Sequence, residues 1–287
     1  PIVRHIHTAD PAALVKGDTL WLFAGRDQNG NQSGYVMKDW LVFSTTDMKH
    51  WTQYPVPLKV EDFKWAASKQ AYAGHVAERN GKYYWYVSTN WCGIGVAVSD
   101  KITGPYKDAL GKPLLTNKDC FDSHHSWACI DPAVFIDDDG QAYLTWGNRE
   151  CYIVKLKDNM IETEGEVKRI HIDESHPFTE APWIHKHDGK YYLTYASEWP
   201  EKIAYAVADH IEGPYETKGI ISEIAGNSNT THPAIVNFKG QWIFISHNGG
   251  LPTGTSYSRS VVAEPMEYNA DGSIKPIPPT AEGVKPL

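Results

Sequence analysis

The stretch DPAVFIDDDG, residues 131–140, is followed at once by QAYLTW, and together they predict two short strands joined by a tight turn. The Asp-Gly pair tolerates the positive φ that such turns need, and apolar or aromatic runs flank it, which is typical of a β-hairpin. Similar hairpins recur four more times. They are DPAALVKG (10–17) before TLWLFA, AGHVAERNG (73–81) before KYYWYVS, EAPWIHKHDG (180–189) before KYYLTYA, and HPAIVNFKG (232–240) before QWIFISH.

The spacing of these hairpins predicts the fold class. Their turn glycines lie 64, 59, 49 and 51 residues apart, which leaves room for a four-stranded sheet and its loops in each unit. Further strand patterns occur inside the units, and no segment shows a sustained helical period. We therefore predict an all-β chain that forms a five-bladed β-propeller. Residues 1–287 would make a single domain, with a surface extension after Lys275.

The composition excludes several classes of protein. The 287 residues carry a formal net charge of −8 with a pI near 5.9, whereas a nucleic acid or an anionic membrane would require a basic face. No apolar run approaches the ~20 residues of a membrane-spanning helix. The sequence has neither a Walker A loop nor a G-x-S-x-G elbow, which argues against phosphoryl transfer and the common esterase design. We therefore expect neither a nucleic acid nor a membrane as partner.

The cysteines and the start of the sequence leave two questions open. The four cysteines lack the C-x-x-C spacing of zinc and thioredoxin-type sites, so they are either buried free thiols or one or two disulfides. They are Cys92, Cys120, Cys129 and Cys151. The sequence opens without the charged and apolar regions of a signal peptide. We expect a secreted or periplasmic protein whose signal peptide has been removed, with the cytoplasm as the alternative.

One position in each hairpin suggests chemistry. It lies seven to nine residues before the turn glycine, where the innermost strand of a blade faces the central channel, and its occupants are Asp10, Ala73, Asp131, Glu180 and His232. Prolines directly after or close to the acids and the histidine favour a strand start or edge at the channel rim. Carboxylates held close together shift each other's pKa, so one can act as acid and another as base, as in glycosidic cleavage. The alternative is that they cap strands or hold a structural ion, and their recurrence in register disfavours it.

The ordered set TADPAA, CIDPAVFIDDDGQAYLTWGN, FTEAPWIHKHDGKYYLTYAS and THPAIV with QWIFISHN resembles glycoside hydrolase family 43 over most of the chain. That family comprises β-xylosidases, α-L-arabinofuranosidases and arabinanases on a five-bladed propeller. The resemblance implies that Asp10 is the general base, Glu180 the general acid, and Asp131 the carboxylate that keeps the pKa of the acid high. It also implies that His232 binds water or a metal ion, commonly calcium, and that Arg259 lies near the sugar subsite.

Two features of the sequence bear on the sugar pocket. Ala181 replaces the glycine of the usual Thr-Glu-Gly-Pro motif, and residues 72–75, YAGH, stand where the family often has Trp-Ala-Pro-Asp. Neither change removes a catalytic group, but both affect the shape of the pocket. Sugar rings stack on aromatic side chains, so tryptophans at strand ends are candidate substrate-binding residues. The candidates are Trp65, Trp91, Trp127 and Trp199.

We therefore expect an inverting, exo-acting glycoside hydrolase that releases α-L-arabinofuranosyl or β-D-xylosyl units from plant hemicellulose or pectic arabinan. Its partner would be an oligosaccharide or polysaccharide, no organic cofactor would be needed, and the protein would be a monomer. Two alternatives stay open. One is a non-catalytic carbohydrate-binding propeller, which the three acids disfavour. The other is a related propeller hydrolase that acts on galactan or fructan, although the Trp-Met-Asn-Asp-Pro-Asn opening of fructan enzymes is absent.

Overall fold

The structure is a computed structural model that describes residues 1–28, 33–67 and 70–287. Its regular elements are antiparallel β-strands, together with two short 3₁₀ turns at Val60–Asp62 and Asn117–Asp119. The strands form five separate sheets in chain order, which confirms the prediction of an all-β chain. Within the described part of the chain, no helix is long and apolar enough to cross a membrane.

The first three sheets come from the first 169 residues. The first sheet consists of β1 (His7–Lys16), β2 (Thr19–Asp27), β3 (Met37–Thr45), β4 (Thr52–Gln53) and β5 (Leu58–Lys59). The second consists of β6 (Ala71–Arg79), β7 (Lys82–Thr89), β8 (Gly93–Ser99) and β9 (Lys107–Asp108). The third consists of β10 (Ala133–Ile136), β11 (Ala142–Trp146), β12 (Tyr152–Leu156) and β13 (Thr163–Arg169).

The last two sheets complete the set. They consist of β14 (Phe178–His187), β15 (Lys190–Ser197), β16 (Lys202–Ala208) and β17 (Glu216–Ser222), and of β18 (Ala234–Phe238), β19 (Gln241–Asn248) and β20 (Ser260–Met266). In every sheet the first and second strands are the hairpin that the sequence repeat predicts.

The first strand of each sheet lies innermost, and these five strands close a ring. β1 contacts β6, β6 contacts β10, β10 contacts β14, β14 contacts β18, and β18 returns to β1. The two ends of the chain join at this closure, where the Ile2 N–H donates to the Val261 carbonyl at 2.8 Å and the Thr8 N–H to the Arg259 carbonyl at 3.0 Å. Five sheets around one axis confirm the five-bladed β-propeller.

Aromatic side chains fill the space between blades. Trp40, Trp85 and Trp146 are fully buried, and the Phe23 and Trp85 rings of the first two blades meet edge to face with centroids 5.2 Å apart. Each buried aromatic removes roughly 150–250 Å² of surface from water. The hydrophobic effect therefore holds neighbouring blades together, and most of the tryptophans serve this packing.

A β-bulge interrupts the innermost strands where they reach the channel rim. In β1 the pairing shifts between Ala9 and Ala12, and in β14 it shifts between Glu180 and Trp183. The third blade has the same step, because the Gly147 N–H donates to the Ile130 carbonyl while Ala133 pairs with Thr145. Two residues of the inner strand therefore face one residue of its partner, which re-aims the side chains at the bulge.

The register corrects one expectation from the repeat. Ala9 pairs with Gly25 and Glu180 pairs with Ala196, so Glu180 matches Ala9, and Asp10 matches Ala181. Glu180 is therefore the last paired residue before its bulge, whereas Asp10 is the first residue inside its own. The prediction that the two acids occupy the same position is wrong by one residue. Both strands carry the same bulge, but Gly17 is the first residue of its turn and Gly189 the second, so a count back from the turn glycine does not fix the register.

The backbone at these bulges is unusual. Asp10, Asp131 and Ala181 have φ values of 52°, 60° and 62°, and each directly precedes a proline. A non-glycine residue at positive φ costs about 1–2 kcal/mol, and aspartate adopts this conformation more readily than alanine does. Proline is accepted at the next position because it has no N–H that the interrupted ladder would leave unpaired.

Replacing Ala181 with glycine tests this account of the backbone. We expect the free energy of unfolding of the A181G variant to stay unchanged or to rise by up to about 1 kcal/mol, because glycine adopts positive φ without steric cost. The control is Ala12→Gly in β1, a buried alanine in the regular ladder, which should lose about 1 kcal/mol. Urea unfolding measures both. An equal loss in the two variants would contradict the strain at Ala181.

Candidate active site

The three predicted acids lie around one cavity at the end of the central channel. The cavity has a volume of about 240 Å³, and Asp10, Asp131 and Glu180 all line it. Four further residues predicted from the sequence line the same cavity, namely His232, Arg259, Trp91 and Trp127. The inner strands of blades one, three and four thus bring together acids that are up to 170 residues apart in sequence.

Asp10 is surrounded by basic side chains. Its Oδ1 lies 3.3 Å from Arg259 Nη1, 3.5 Å from His232 Nδ1 and 3.6 Å from His247 Nδ1. The backbone N–H of Asp10, freed from the ladder by the bulge, donates to His247 Nδ1 at 3.0 Å. The carboxylate and the strained backbone of Asp10 are therefore both held in place.

His247 is a neutral hydrogen-bonding link. Because its Nδ1 accepts from Asp10, its Nε2 carries the ring proton and donates to Thr230 Oγ1 at 2.9 Å. Its side chain is fully buried, and this burial lowers the pKa of His247 well below the usual value, with the Arg259 charge acting in the same direction. A cationic His247 would direct its second N–H at the donating N–H of Asp10, so the neutral form fits the geometry.

Arg259 is fixed by Asp27 before it reaches Asp10. Its Nε and Nη2 each donate to the Asp27 carboxylate at 2.9 Å, and its own backbone N–H donates to Asp27 Oδ2 at 2.8 Å. Burial alone would lower the pKa of Arg259, but the Asp10 and Asp27 carboxylates raise it well above the usual value. The two-pronged contact with Asp27 orients the guanidinium so that Nη1 points at Asp10.

Glu180 is oriented from the other side of the cavity. Asn148 Nδ2 donates to Glu180 Oε1 at 3.0 Å, and the isolated bridge between these two residues joins blades three and four. Asn148 Oδ1 in turn accepts from His125 Nε2 at 3.0 Å. These two hydrogen bonds fix the direction of the Asn148 amide. They do not involve the second carboxyl oxygen of Glu180.

Burial and mutual repulsion raise the pKa of two of the acids. The pKa of Asp131 lies well above its usual value because the side chain is buried, and the negative charges of Glu180 and Asp10 add to the effect. Burial also raises the pKa of Glu180, as does the charge of Asp10, while a hydrogen bond from Glu201 opposes the rise. Three carboxylates this close do not all ionise together, so the cluster retains a proton that can be transferred.

Sequence reasoning missed several residues of the site. Asn148 and His247 stand within the quoted segments TWGN and ISHN, but neither had a role until the register placed them beside the acids. Tyr35 lines the cavity from a loop that carries no motif, whereas Tyr72 comes from the YAGH segment that the sequence associated with the pocket. Glu201, buried behind Glu180, follows Trp199 and Pro200 in a turn and gave no signal at all.

Other expectations change with the structure. The structure does not bring Trp65 to the cavity, because its indole N–H donates to Asp108 at 3.0 Å and its ring packs over Gly95. Trp199 is exposed and also lies outside the cavity lining. Cys120, Cys129 and Cys151 are buried free thiols, so the free-thiol alternative holds for them and no disulfide joins them.

The donor set near His232 does not fit a calcium ion held by the protein. Calcium takes six to eight oxygen ligands, whereas His232 offers an imidazole nitrogen beside a carboxylate that Arg259 already engages. Within residues 1–28, 33–67 and 70–287, no group of three or more His, Cys, Asp or Glu side chains is arranged to hold a metal ion. No chemical step is therefore assigned to a metal.

Removing Asp27 tests the frame around Asp10. We expect the D27A variant to lose about 3–5 kcal/mol in free energy of unfolding, because Arg259 is left as a buried cation without its main partner. The matched control is Glu212→Ala, which breaks the exposed pair with Lys168 and should cost at most about 1 kcal/mol. Urea unfolding distinguishes them. If D27A loses no more free energy of unfolding than the control, Asp27 does not stabilise the buried Arg259 charge.

Comparison with known proteins identifies the family. The family model "Glycosyl hydrolases family 43" matches residues 1–274. The chain is 33% identical to "Xylosidase/arabinosidase 43A" of Humicola insolens, with 96% of this chain and 98% of the relative covered.

Two solved structures agree with this match. One is a β-xylosidase/α-arabinofuranosidase from a compost microbial metagenome, described as a calcium-free form in complex with xylotriose, with a TM-score of 0.86, 31% identity and 96% of both chains covered. The other is an α-L-arabinofuranosidase from Clostridium thermocellum, with a TM-score of 0.83, 35% identity, and 97% of this chain and 95% of that one covered. The chain belongs to glycoside hydrolase family 43.

Proposed function

We propose that this protein is an exo-acting, inverting glycosidase that releases β-D-xylosyl or α-L-arabinofuranosyl units from the ends of plant glycans. The observation that carries the proposal is the convergence of Asp10, Asp131 and Glu180 on one small cavity, each with distinct partners. The relatives named above, described as acting on these two pentoses, support this choice of sugars over galactan or fructan.

In the proposed reaction a water molecule attacks the anomeric carbon of the terminal sugar and gives one proton to Asp10. The bond from that carbon to the glycosidic oxygen breaks, and Glu180 transfers its proton to the departing oxygen. The products are a free pentose and a shortened glycan. Asp10 ends protonated and Glu180 ionised, so that atoms and charge balance and two proton exchanges with solvent restore the enzyme.

Asp131 and Arg259 support the two reacting groups. Asp131 and Glu180 repel each other as anions, so in the proposed cycle an ionised Asp131 keeps Glu180 protonated before the proton transfer. Arg259, held by Asp27, fixes the Asp10 carboxylate in the direction of the attacking water. Because Arg259 also lines the cavity, its predicted contact with the sugar remains part of the proposal.

Two aromatic pairs line the cavity, one near Asp10 and one near Glu180. On the Asp10 side the Tyr35 and Tyr72 rings meet edge to face with centroids 6.1 Å apart, and they wall the cavity. On the Glu180 side Trp91 and Trp127 are 55% and 38% exposed, with ring centroids 6.1 Å apart. A terminal sugar would enter past the tryptophans and stop at the tyrosines, which accounts for exo action, and the tryptophans would bind the departing glycan.

The metal ion expected at His232 stays a prediction. One structural neighbour is described as a calcium-free form, but the donor atoms around His232 in this chain do not form a calcium cage. His232 is buried, which lowers its pKa, and its ring lies beside Asp10. We propose instead that neutral His232 helps to hold the water molecule that Asp10 activates.

Amide substitutions of the two reacting acids test the assignment. We expect the E180Q and D10N variants to lose about 10²–10⁴ in kcat on 4-nitrophenyl xyloside or arabinofuranoside, because each loses its proton-transfer group. Asp138→Asn, at a carboxylate that is 85% exposed on a turn, is the control and should keep full activity. If E180Q hydrolyses these substrates at the wild-type rate, the proposal is rejected. It is also rejected if the wild type hydrolyses nothing on a substrate panel that includes arabinan and xylan.

The pH profile of the same variants adds a second check. Because burial and neighbouring charges raise the pKa of Glu180, the acid stays protonated to higher pH than an ordinary glutamate. Wild-type activity should therefore persist toward neutral pH and fall as pH rises through that pKa, whereas the residual activity of E180Q should lack this basic limb.

The configuration of the first product decides between inversion and retention. Following the hydrolysis of an aryl xyloside by ¹H NMR should show the anomer opposite to that of the substrate, before mutarotation mixes the two forms. Inversion is expected because a water molecule, and not an enzyme carboxylate, attacks the sugar. Appearance of the substrate's own anomer first would exclude Asp10 as a base and indicate a covalent intermediate.

A further inference from the structure

Glu201 is a buried acid that the proposed reaction does not use. Its side chain is fully buried in the turn between β15 and β16. Oε1 accepts the backbone N–H of Thr231 at 3.1 Å, and the N–H of Glu201 itself donates to the Asn229 carbonyl at 2.9 Å. Oε2 is also buried, and it has no hydrogen-bond donor within the described part of the chain.

Glu201 accepts from Thr231, which lines the cavity together with Glu180, and the carboxyl groups of Glu201 and Glu180 lie within hydrogen-bonding reach of each other. Two carboxylates in such contact repel each other, whereas a carboxylic acid and a carboxylate share a strong, charge-assisted hydrogen bond. A proton on Glu201 Oε2 removes the repulsion and also gives the otherwise unpartnered oxygen an acceptor. A bare carboxylate at Oε2 would instead be an unsatisfied buried charge.

We propose that Glu201 stays protonated through the catalytic cycle and donates a hydrogen bond from Oε2 to Glu180, which makes it a positioning residue for the general acid. The proposal rests on the proposed role of Glu180. It gives the turn between β15 and β16 a role in the active site, in addition to the three acids at the channel rim.

The surroundings favour the proton on Glu201 over Glu180. Glu180 accepts from Asn148 and is partly open to the cavity, while Glu201 is sealed from solvent. Burial raises the pKa of Glu201 well above its usual value, and the adjacent Glu180 charge raises it further. When the pair holds one proton, that proton therefore stays on Glu201.

The hydrogen bond strengthens at the moment when it is needed. Before the reaction both glutamates are protonated, and the contact joins two neutral groups. As Glu180 gives its proton to the glycosidic oxygen, it becomes a carboxylate facing Asp131 and Asp10, both of which oppose its charge. Glu201 then donates to an anion, and an interaction that is stronger in the transition state than in the ground state accelerates the reaction.

Groups on every side of Glu180 affect the stability of its charged form. Glu201 and Asn148 hydrogen-bond to it, Asp131 and Asp10 repel it across the cavity, and Arg259 attracts it. Tyr35, whose pKa is raised mainly by burial, faces the same space and stays neutral. Among these, Glu201 is the acid whose proton can offset the two opposing carboxylates by direct contact.

Two substitutions at Glu201 test the proposal. Glu201→Gln keeps a neutral donor to Glu180 and an acceptor for Thr231, so kcat and the basic limb of the pH profile should stay within about threefold and a few tenths of a pH unit of wild type. Glu201→Met has a similar size but no donor. Its basic limb should move upward by about one pH unit or more, because the Glu180 carboxylate loses a hydrogen bond.

The leaving group separates an effect on the acid from general damage. In E201M, hydrolysis of xylobiose should fall by about 10–100-fold, because its leaving oxygen needs a proton. Hydrolysis of 2,4-dinitrophenyl xyloside, whose leaving group departs unaided, should fall only a few-fold. An equal loss on both substrates would show a merely structural role. A downward shift of the basic limb in E201Q would show that Glu201 is ionised, and either result would overturn the proposal.

The proton itself can be observed without turnover. In wild-type protein with ¹³C-labelled glutamate, the side-chain carboxyl signal that disappears in E201Q should keep the chemical shift of a protonated acid through neutral pH. A signal that titrates like an exposed glutamate would overturn the proposal. This readout needs folded E201Q only for the assignment, and it stays valid if E201M folds poorly. It also stays valid if the wild type hydrolyses no substrate on the panel, an outcome that would reject the proposed function alone.

Discussion

The strained step on the innermost strands is the constraint on which the site depends. A regular strand alternates its side chains between two faces, so every second residue of β1, β10 or β14 would point into a neighbouring blade. The bulge, with positive φ at Asp10, Asp131 and Ala181, breaks this alternation at the channel rim. Acids then face the cavity, and the freed N–H of Asp10 binds His247. The hydrophobic packing of the five blades supplies the stability that maintains this strain.

The same step joins two blades at Ala181, a position whose positive φ suits glycine better. Ala181 is buried, and its N–H donates to Asp131, so the strained peptide links the third and fourth blades across the site. The Glu180 side chain leaves the strand one residue earlier than that of Asp10, from a position still paired in the ladder. The two carboxylates that we propose as base and acid are thus presented from different backbone settings.

The sequence was sufficient for the parts of the site that a local pattern encodes. Turn glycines and aromatic strands predicted the five blades, and the Asp-Pro pairs with Glu180 predicted the acids that share the cavity. What it could not supply depends on register and on long-range contacts. Asn148 acquires a role only because blades three and four adjoin, and Trp65 loses one because its indole N–H binds Asp108. Glu201 belongs to no motif, and the sequence does not show that the turn between β15 and β16 brings it beside Glu180 of β14.

Charge around the cavity sets the chemistry that is available there. Asp10, Asp131 and Glu180 crowd around one cavity with Glu201 behind Glu180, while the guanidinium of Arg259 is already matched by buried Asp27. The two adjacent histidines are neutral because burial lowers their pKa, so they add hydrogen bonds but no positive charge. With more carboxyl groups than cations in a buried space, the lowest free energy is reached by retaining protons. A site built in this way holds an acid ready at a pH where an exposed glutamate would have lost its proton, and it does so by crowding carboxyl groups together behind a strained backbone.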